Sequence, residues 1–234
     1  MTRPRDDAQS FAEFLRARGH EAVIAPIMEV QFPPGPPLAL DGVQGVLATS
    51  ANGVRALSFR TARRDLTIYA VGPQTAEAAR QSGFTVVISA DGNAAALVET
   101  VAREADPAKG PLLHAAGAET AGRLRQALQA RGFRVESAVL YEALPVTRLP
   151  AEAQDALRNN ILDGVLIFSP RSAKTFATLT GAAGLSAQCA ALIAFCISAA
   201  TAEALAPLTF ARVVIAGTPN QDAILDLIPA EPAR

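Results

Sequence analysis

At 234 residues the chain has room for one large domain or two of about 115 residues each. Its 21 basic and 22 acidic side chains leave a formal net charge of −1, which gives no electrostatic footprint for nucleic acid. Two cysteines and two histidines are too few for a disulfide framework or a metal site.

Cys189 and Cys196 therefore read as buried, reduced thiols of a cytosolic protein. Trp is absent and aromatics are scarce, so Ala, Leu, Val and Ile must build the core. Residues 1–7 lack the apolar run of a signal peptide. The longest apolar patch, residues 190–200, is too short to span a bilayer. The reading is a soluble, cytoplasmic protein.

In chain order, residues 6–18 carry Phe11, Phe14 and Leu15 on one stripe and end at Gly19, which predicts a helix. Residues 21–25 predict a strand, and residues 26–30 continue extended. The Pro33-Pro34-Gly35-Pro36-Pro37 run excludes helix and central strand, so it is a linker or rim loop. Residues 45–48 predict a strand that leads through Thr49, Ser50 and Asn52 into a helix from Val54. The Arg60, Arg63 and Arg64 cluster reads as a solvated face.

Next, Tyr69-Ala70-Val71-Gly72-Pro73-Gln74-Thr75 reads as a buried strand, a tight turn and a helix start that Thr75 caps or lines. Residues 85–88 predict a strand, and Gly92-Asn93 opens a helix over 94–103. In the second half, residues 111–115 predict a strand, with a helix opened by Ala116-Gly117-Ala118-Glu119 and ending near Gly132. Residues 139–145, with Tyr141, read as an amphipathic strand. Residues 165–168 lead through Ser169, Arg171 and Ser172 into a helix, residues 195–197 through Ser198 to Thr201, and Thr218 to Asn220 opens the last.

The halves repeat one vocabulary. Gly19 recurs at Gly132, Ser50 at Ser169, Thr75 at Thr201 and Asn93 at Asn220, in the same order with drifting offsets. This is an internal duplication. Strands that alternate with helices and read as continuous apolar runs predict parallel sheets covered on both faces. The expected fold is α/β: two similar doubly wound domains with a cleft between them, where ligands sit beyond the carboxyl ends of the strands. Two partitions fit the repeat: a cut near residues 108–110, or an exchange in which the first helix–strand unit joins the last third.

Hydroxyls at helix starts are usually plain caps, but six such turns on two matched units point to a polar, anion-accepting cleft. The Walker A and dinucleotide fingerprints are absent, as is a Gly-x-Ser-x-Gly elbow. Tyr141 is one of two tyrosines, and a phenol at neutral pH is a donor more readily than a base. His114 at a strand end reads as structural, and Asp41, Asp91 and Asp163 as turn residues.

Thr2-Arg3-Pro4, Thr49-Ser50-Ala51-Asn52-Gly53, Tyr69-Ala70-Val71-Gly72 with Thr75-Ala76, Phe168-Ser169-Pro170-Arg171-Ser172 and Thr218-Pro219-Asn220 together resemble the uroporphyrinogen-III synthase family across the whole chain. The resemblance implies the exchanged arrangement: residues 1–30 plus 146–234 as one domain, residues 31–145 as the inserted other, and a two-stranded hinge near Met28 and Tyr141. It implies cyclisation of the linear tetrapyrrole hydroxymethylbilane with inversion of ring D and loss of water. It also implies a monomer without cofactor or metal, in transient contact with hydroxymethylbilane synthase. Tyr141 matches the family tyrosine that assists departure of the hydroxyl. Thr49, Ser50, Asn52, Thr75, Ser169, Arg171, Ser172, Thr201, Thr218 and Asn220 match substrate-binding positions.

Two departures stand out. The family's apolar strand before Thr-Arg-Pro has no counterpart ahead of Thr2, which predicts unpaired backbone and exposed apolar faces in the sheet. Ser198-Ala199-Ala200 replaces the glycine turn at Gly72, which predicts a tighter second anion turn. The competing readings are a two-lobed binding protein for a polyanionic small molecule and a synthase-like domain without activity.

Overall fold

A computed structural model of the chain describes residues 1–118 and 122–229. It divides into two compact units, Val30–Ala143 and a discontinuous one made of Met1–Glu29 and Leu144–Arg234. Helix α1 (Arg5–Ala17) leads through irregular backbone to β1 (Met28–Gln31). There follow β2 (Gly45–Ala48), α2 (Ala51–Arg60), β3 (Thr67–Ala70), α3 (Pro73–Gln81), β4 (Val86–Ser89), α4 (Ala94–Glu104), β5 (Leu112–Gly117), α5 (Arg123–Gln129) and β6 (Val135–Pro145). The described chain continues with α6 (Ala151–Arg158), β7 (Gly164–Ile167), α7 (Pro170–Ala182), β8 (Ile193–Cys196), α8 (Ala199–Glu203), β9 (Arg212–Ile215) and α9 (Gln221–Asp226).

The larger sheet runs β1-β6-β5-β2-β3-β4. The β2–β3, β3–β4, β2–β5 and β5–β6 pairs are all parallel. From β2 the chain adds β3 and β4 on one side and β5 and β6 on the other. Strand order thus reverses between β2 and β5, and in such a sheet the ligand crevice opens beyond the carboxyl ends at that point. Both faces are buried. Val46, Ile68 and Leu113 pack with Val54 and Leu57 of α2 and Ala79 of α3. Leu47, Tyr69 and Leu112 pack with Leu97 and Val101 of α4 and Leu124 and Leu128 of α5. Two-sided burial is why these strands read as unbroken apolar runs.

In the other unit β7, β8 and β9 form a three-stranded parallel sheet. Phe11 and Leu15 of α1 and Ile224 and Leu225 of α9 bury Leu166 and Phe195. The duplication recurs in packing detail. A β-carbon at Gly45 would meet the Tyr69 ring at 2.6 Å, and one at Gly164 would meet the Phe195 ring at 2.7 Å. In each unit a glycine on the first strand of the repeat gives space to the aromatic ring of the next.

Two sequence expectations fail. Residues 21–25 form no strand. This backbone bonds to Met1 and Thr2: Met1 N donates to Val23 O at 2.7 Å, Ala25 N to Met1 O at 2.9 Å and Ile27 N to Thr2 O at 3.2 Å. These three bonds fall short of a ladder. An open apolar cavity of about 160 Å³ lies there, lined by Val23, Leu157, Val165, Leu192 and Phe195 among others. Second, residues 116 and 117 extend β5, and α5 begins only at Arg123; Glu119 lies outside the described residues. The sequence reading also left α6 and β9 unassigned. Residues 212–215 are mostly exposed, so β9 lacks the buried apolar run that marks the other strands.

Candidate functional site

In the Val30–Ala143 unit, β2 ends at the turn that holds Thr49 and Ser50. Ser50 has extended backbone and caps α2, its Oγ accepting from Asn52 N at 3.1 Å. Asn52 is buried, and its Oδ1 accepts from Arg55 Nη1 at 2.7 Å. Thr49 Oγ1 lies 3.4 Å from Nε2 of His114 on β5. His114 is buried, and burial holds its pKa below the ordinary histidine value.

Thr75 follows β3 and is buried in the first turn of α3, yet it does not cap that helix. The cap position belongs to Gly72, which has no side chain to accept an N–H, with Pro73 opening the helix. Asn93 caps α4 after β4, accepting from Ala95 N and Ala96 N.

Tyr141 reaches this edge by a register shift. Ala116 pairs with Val139 and Gly117 with Tyr141, which leaves Leu140 as an extra residue in β6. Leu140 is buried in the cluster beneath α2, and strict alternation would send Tyr141 to the opposite face. The bulge returns it to the same face, where it packs against that cluster. A β-carbon at Gly117 would lie 2.8 Å from Tyr141 Cζ, and one at Gly53 would lie 3.6 Å from Tyr141 Cε1. The phenol therefore sits at the β2–β5 reversal, beside the first turn of α2.

In the other unit, Ser169 caps α7. Its Oγ accepts from Ser172 N at 3.1 Å while its hydroxyl donates to Ser172 Oγ at 2.9 Å. Arg171 is half-buried in the same turn. On the neighbouring strand Ser198 caps α8 and faces Thr201, with 3.0 Å between their hydroxyl oxygens and Thr201 fully buried. Thr218 and Asn220 are exposed after β9, Asn220 capping α9 through Ala223 N at 2.8 Å. Thr2 Oγ1 donates to Leu166 O at 2.8 Å, and the Arg3 guanidinium stacks 4.6 Å over the Phe168 ring. The Thr-Arg-Pro segment thus starts α1 at the carboxyl end of β7.

The model of the HEM4 family, uroporphyrinogen-III synthase HemD, matches residues 9–226. The chain belongs to this family. A curated relative, the uroporphyrinogen-III synthase of Synechococcus elongatus, is 31% identical over 195 residues, which cover 76% of this chain and 72% of that one. The crystal structure of uroporphyrinogen-III synthetase from Helicobacter pylori 26695 has a TM-score of 0.60 at 20% identity, covering 89% of this chain and 94% of that one. At that identity the likeness is one of fold.

Each unit of this synthase-family chain thus ends its strands in hydroxyls, amide N–H groups and helix starts. Thr49, Ser50, Asn52 and Tyr141 gather at one strand reversal, with Thr75 one strand away. Ser169, Arg171 and Ser172 adjoin Thr201, with Thr218 and Asn220 beyond the end of the next strand. Sequence reasoning missed Ser198 as the partner of Thr201, and Gly53 and Gly117 as the floor under Tyr141. A serine three residues before a helical threonine was signal enough for the first; the second depends on strand register. Among the described residues no helix is long and apolar enough to cross a membrane.

Proposed function

We propose that the protein is a uroporphyrinogen-III synthase that closes hydroxymethylbilane, inverts ring D and releases one water. What carries the reading is Tyr141: in a chain of this family, the phenol turns onto the β2–β5 reversal, where a doubly wound sheet takes its ligand. The Tyr141 hydroxyl gives its proton to the departing hydroxyl, which leaves as water, and the adjoining pyrrole returns its N–H proton to the phenolate as it becomes an azafulvene. The substituted carbon of ring D attacks that electrophile and forms a spiro intermediate. Reopening and reclosure then leave ring D inverted.

The substrate carries eight carboxylates. Thr49, Ser50, Asn52 and Thr75 in one unit, and Ser169, Arg171, Ser172, Thr201, Thr218 and Asn220 in the other, meet them with many modest hydrogen bonds. Holding the chain in the geometry that favours inverted closure accounts for most of the catalysis. We extend the reading to a cytoplasmic monomer that works without metal or cofactor and meets hydroxymethylbilane synthase transiently.

The test is Tyr141→Phe. Turnover should fall on the order of a hundredfold, as for removal of a positioned proton donor, while substrate binding stays within about twofold. Unchanged turnover would remove Tyr141 from the mechanism.

A further inference from the structure

The direction of Tyr141, the candidate catalytic side chain, depends on a bulge, and the bulge rests on bare backbone. Gly117 is its register partner on β5. A β-carbon there would lie 2.8 Å from Tyr141 Cζ and 3.0 Å from Oη, closer than such contacts allow. The contact is with the hydroxyl-bearing end of the ring, the end that meets substrate. Beyond the bulge Ala118 N donates to Tyr141 O at 3.0 Å, so the backbone under the ring is pinned. Gly117 has no positive φ, and a methyl group there would strain no backbone. Its glycine identity serves the ring.

We propose that Gly117 is a positioning residue for the Tyr141 phenol: by withholding a β-carbon it lets the ring lie down over β5 and aims Oη at the departing hydroxyl. Gly53 supports this at one remove. Its own β-carbon would lie 2.6 Å from Ala115 O, so a glycine brings the first turn of α2 down onto β5 beside the ring. The inference rests on the role given to Tyr141 above and goes beyond it, to the residue on the neighbouring strand that lets the ring lie where it does.

The test is a double-mutant cycle on the full chain with Gly117→Ala, Tyr141→Phe and the double variant, reading kcat and KM separately. Gly117→Ala should lower kcat at least about tenfold with KM within about twofold, and the double variant should turn over no more slowly than the slower single one. A Gly117→Ala variant with wild-type kcat, or losses that multiply in the double variant, overturns the proposal while Tyr141 keeps its role. Wild-type kcat in Tyr141→Phe overturns both. Should Gly117→Ala not fold, wild-type protein decides. Isotope-labelled NMR must show a cross-relaxation peak between the Gly117 α-protons and the Tyr141 ring, and its absence overturns the geometry.

Discussion

The hydroxyl oxygens of Ser198 and Thr201 lie 3.0 Å apart, closing the first turn of α8 on itself. The corresponding turn before α3 has Gly72 where Ser198 stands, so Thr75 faces an open cap. Gly72 has extended backbone (φ −165°, ψ 179°), close to that of Ser198 (φ −160°, ψ 164°). A serine there would cap without strain, and its β-carbon would come no nearer than 3.7 Å to Gly92 O. Gly72→Ser should therefore stabilise the protein by a few tenths of a kcal/mol and raise KM, because in the proposed function this turn meets a substrate carboxylate and the new hydroxyl takes one of its N–H groups. Thermal melts and steady-state kinetics check both signs. A gain in stability with unchanged KM would remove this turn from the site.

The reverse change is Ser198→Ala. It removes the N-cap of α8 and should cost about 1 kcal/mol, a fall in Tm of about 2–4 °C for a chain this long. Calorimetry on the purified chain measures it.

How far the sequence carried depended on whether a feature was local. Strands β2, β3, β5, β7 and β8 were legible because each is buried on both faces, and the caps at Ser50, Asn93, Ser169 and Asn220 because capping is decided within four residues. Residues 21–25 look like a strand by composition, yet a strand needs a paired neighbour, and the bonds this backbone makes to Met1 and Thr2 do not amount to a ladder. The direction of Tyr141 was not legible for a related reason. Its face is set by pairing across to Gly117, and period-two alternation from Leu140 points it the wrong way. Nor did position in the chain reveal that Thr75 lies inside its helix with Gly72 at the cap.

His114 gives a pH signature. Burial depresses its folded pKa below the ordinary value of 6.5, so the unfolded state takes up the proton more readily. The stability tied to its neutral form is complete above about pH 6.5 and is lost as pH falls from there through the lower folded value. Urea midpoints from pH 7.5 to 5 should decline more steeply in wild type than in His114→Gln. Equal slopes would contradict the assignment.

Burial pushes the thiols of Cys189 and Cys196 up to about 11. Neither is a thiolate at pH 8, and neither is exposed. A thiol reagent should label none of the native protein within minutes and two groups per chain after denaturation. Rapid native labelling would contradict the packing around β8.

Gly164→Ala should destabilise more than Gly45→Ala. At Gly164 the added carbon meets both the Phe195 ring at 2.7 Å and Ile193 O at 2.8 Å, and a backbone oxygen within a sheet cannot swing away. At Gly45 the nearest backbone atom is Thr67 O, at 3.2 Å. Costs of about 1–3 kcal/mol are expected for overpacking of this kind, and denaturant midpoints rank the two.

The most direct measurement is of the product. Purified protein is added to hydroxymethylbilane as its synthase generates it, and the oxidised porphyrin isomers are separated. The account predicts uroporphyrinogen III well above the spontaneous type I background, with the type III share collapsing in Tyr141→Phe. Type I alone, from protein shown to be folded, would contradict it.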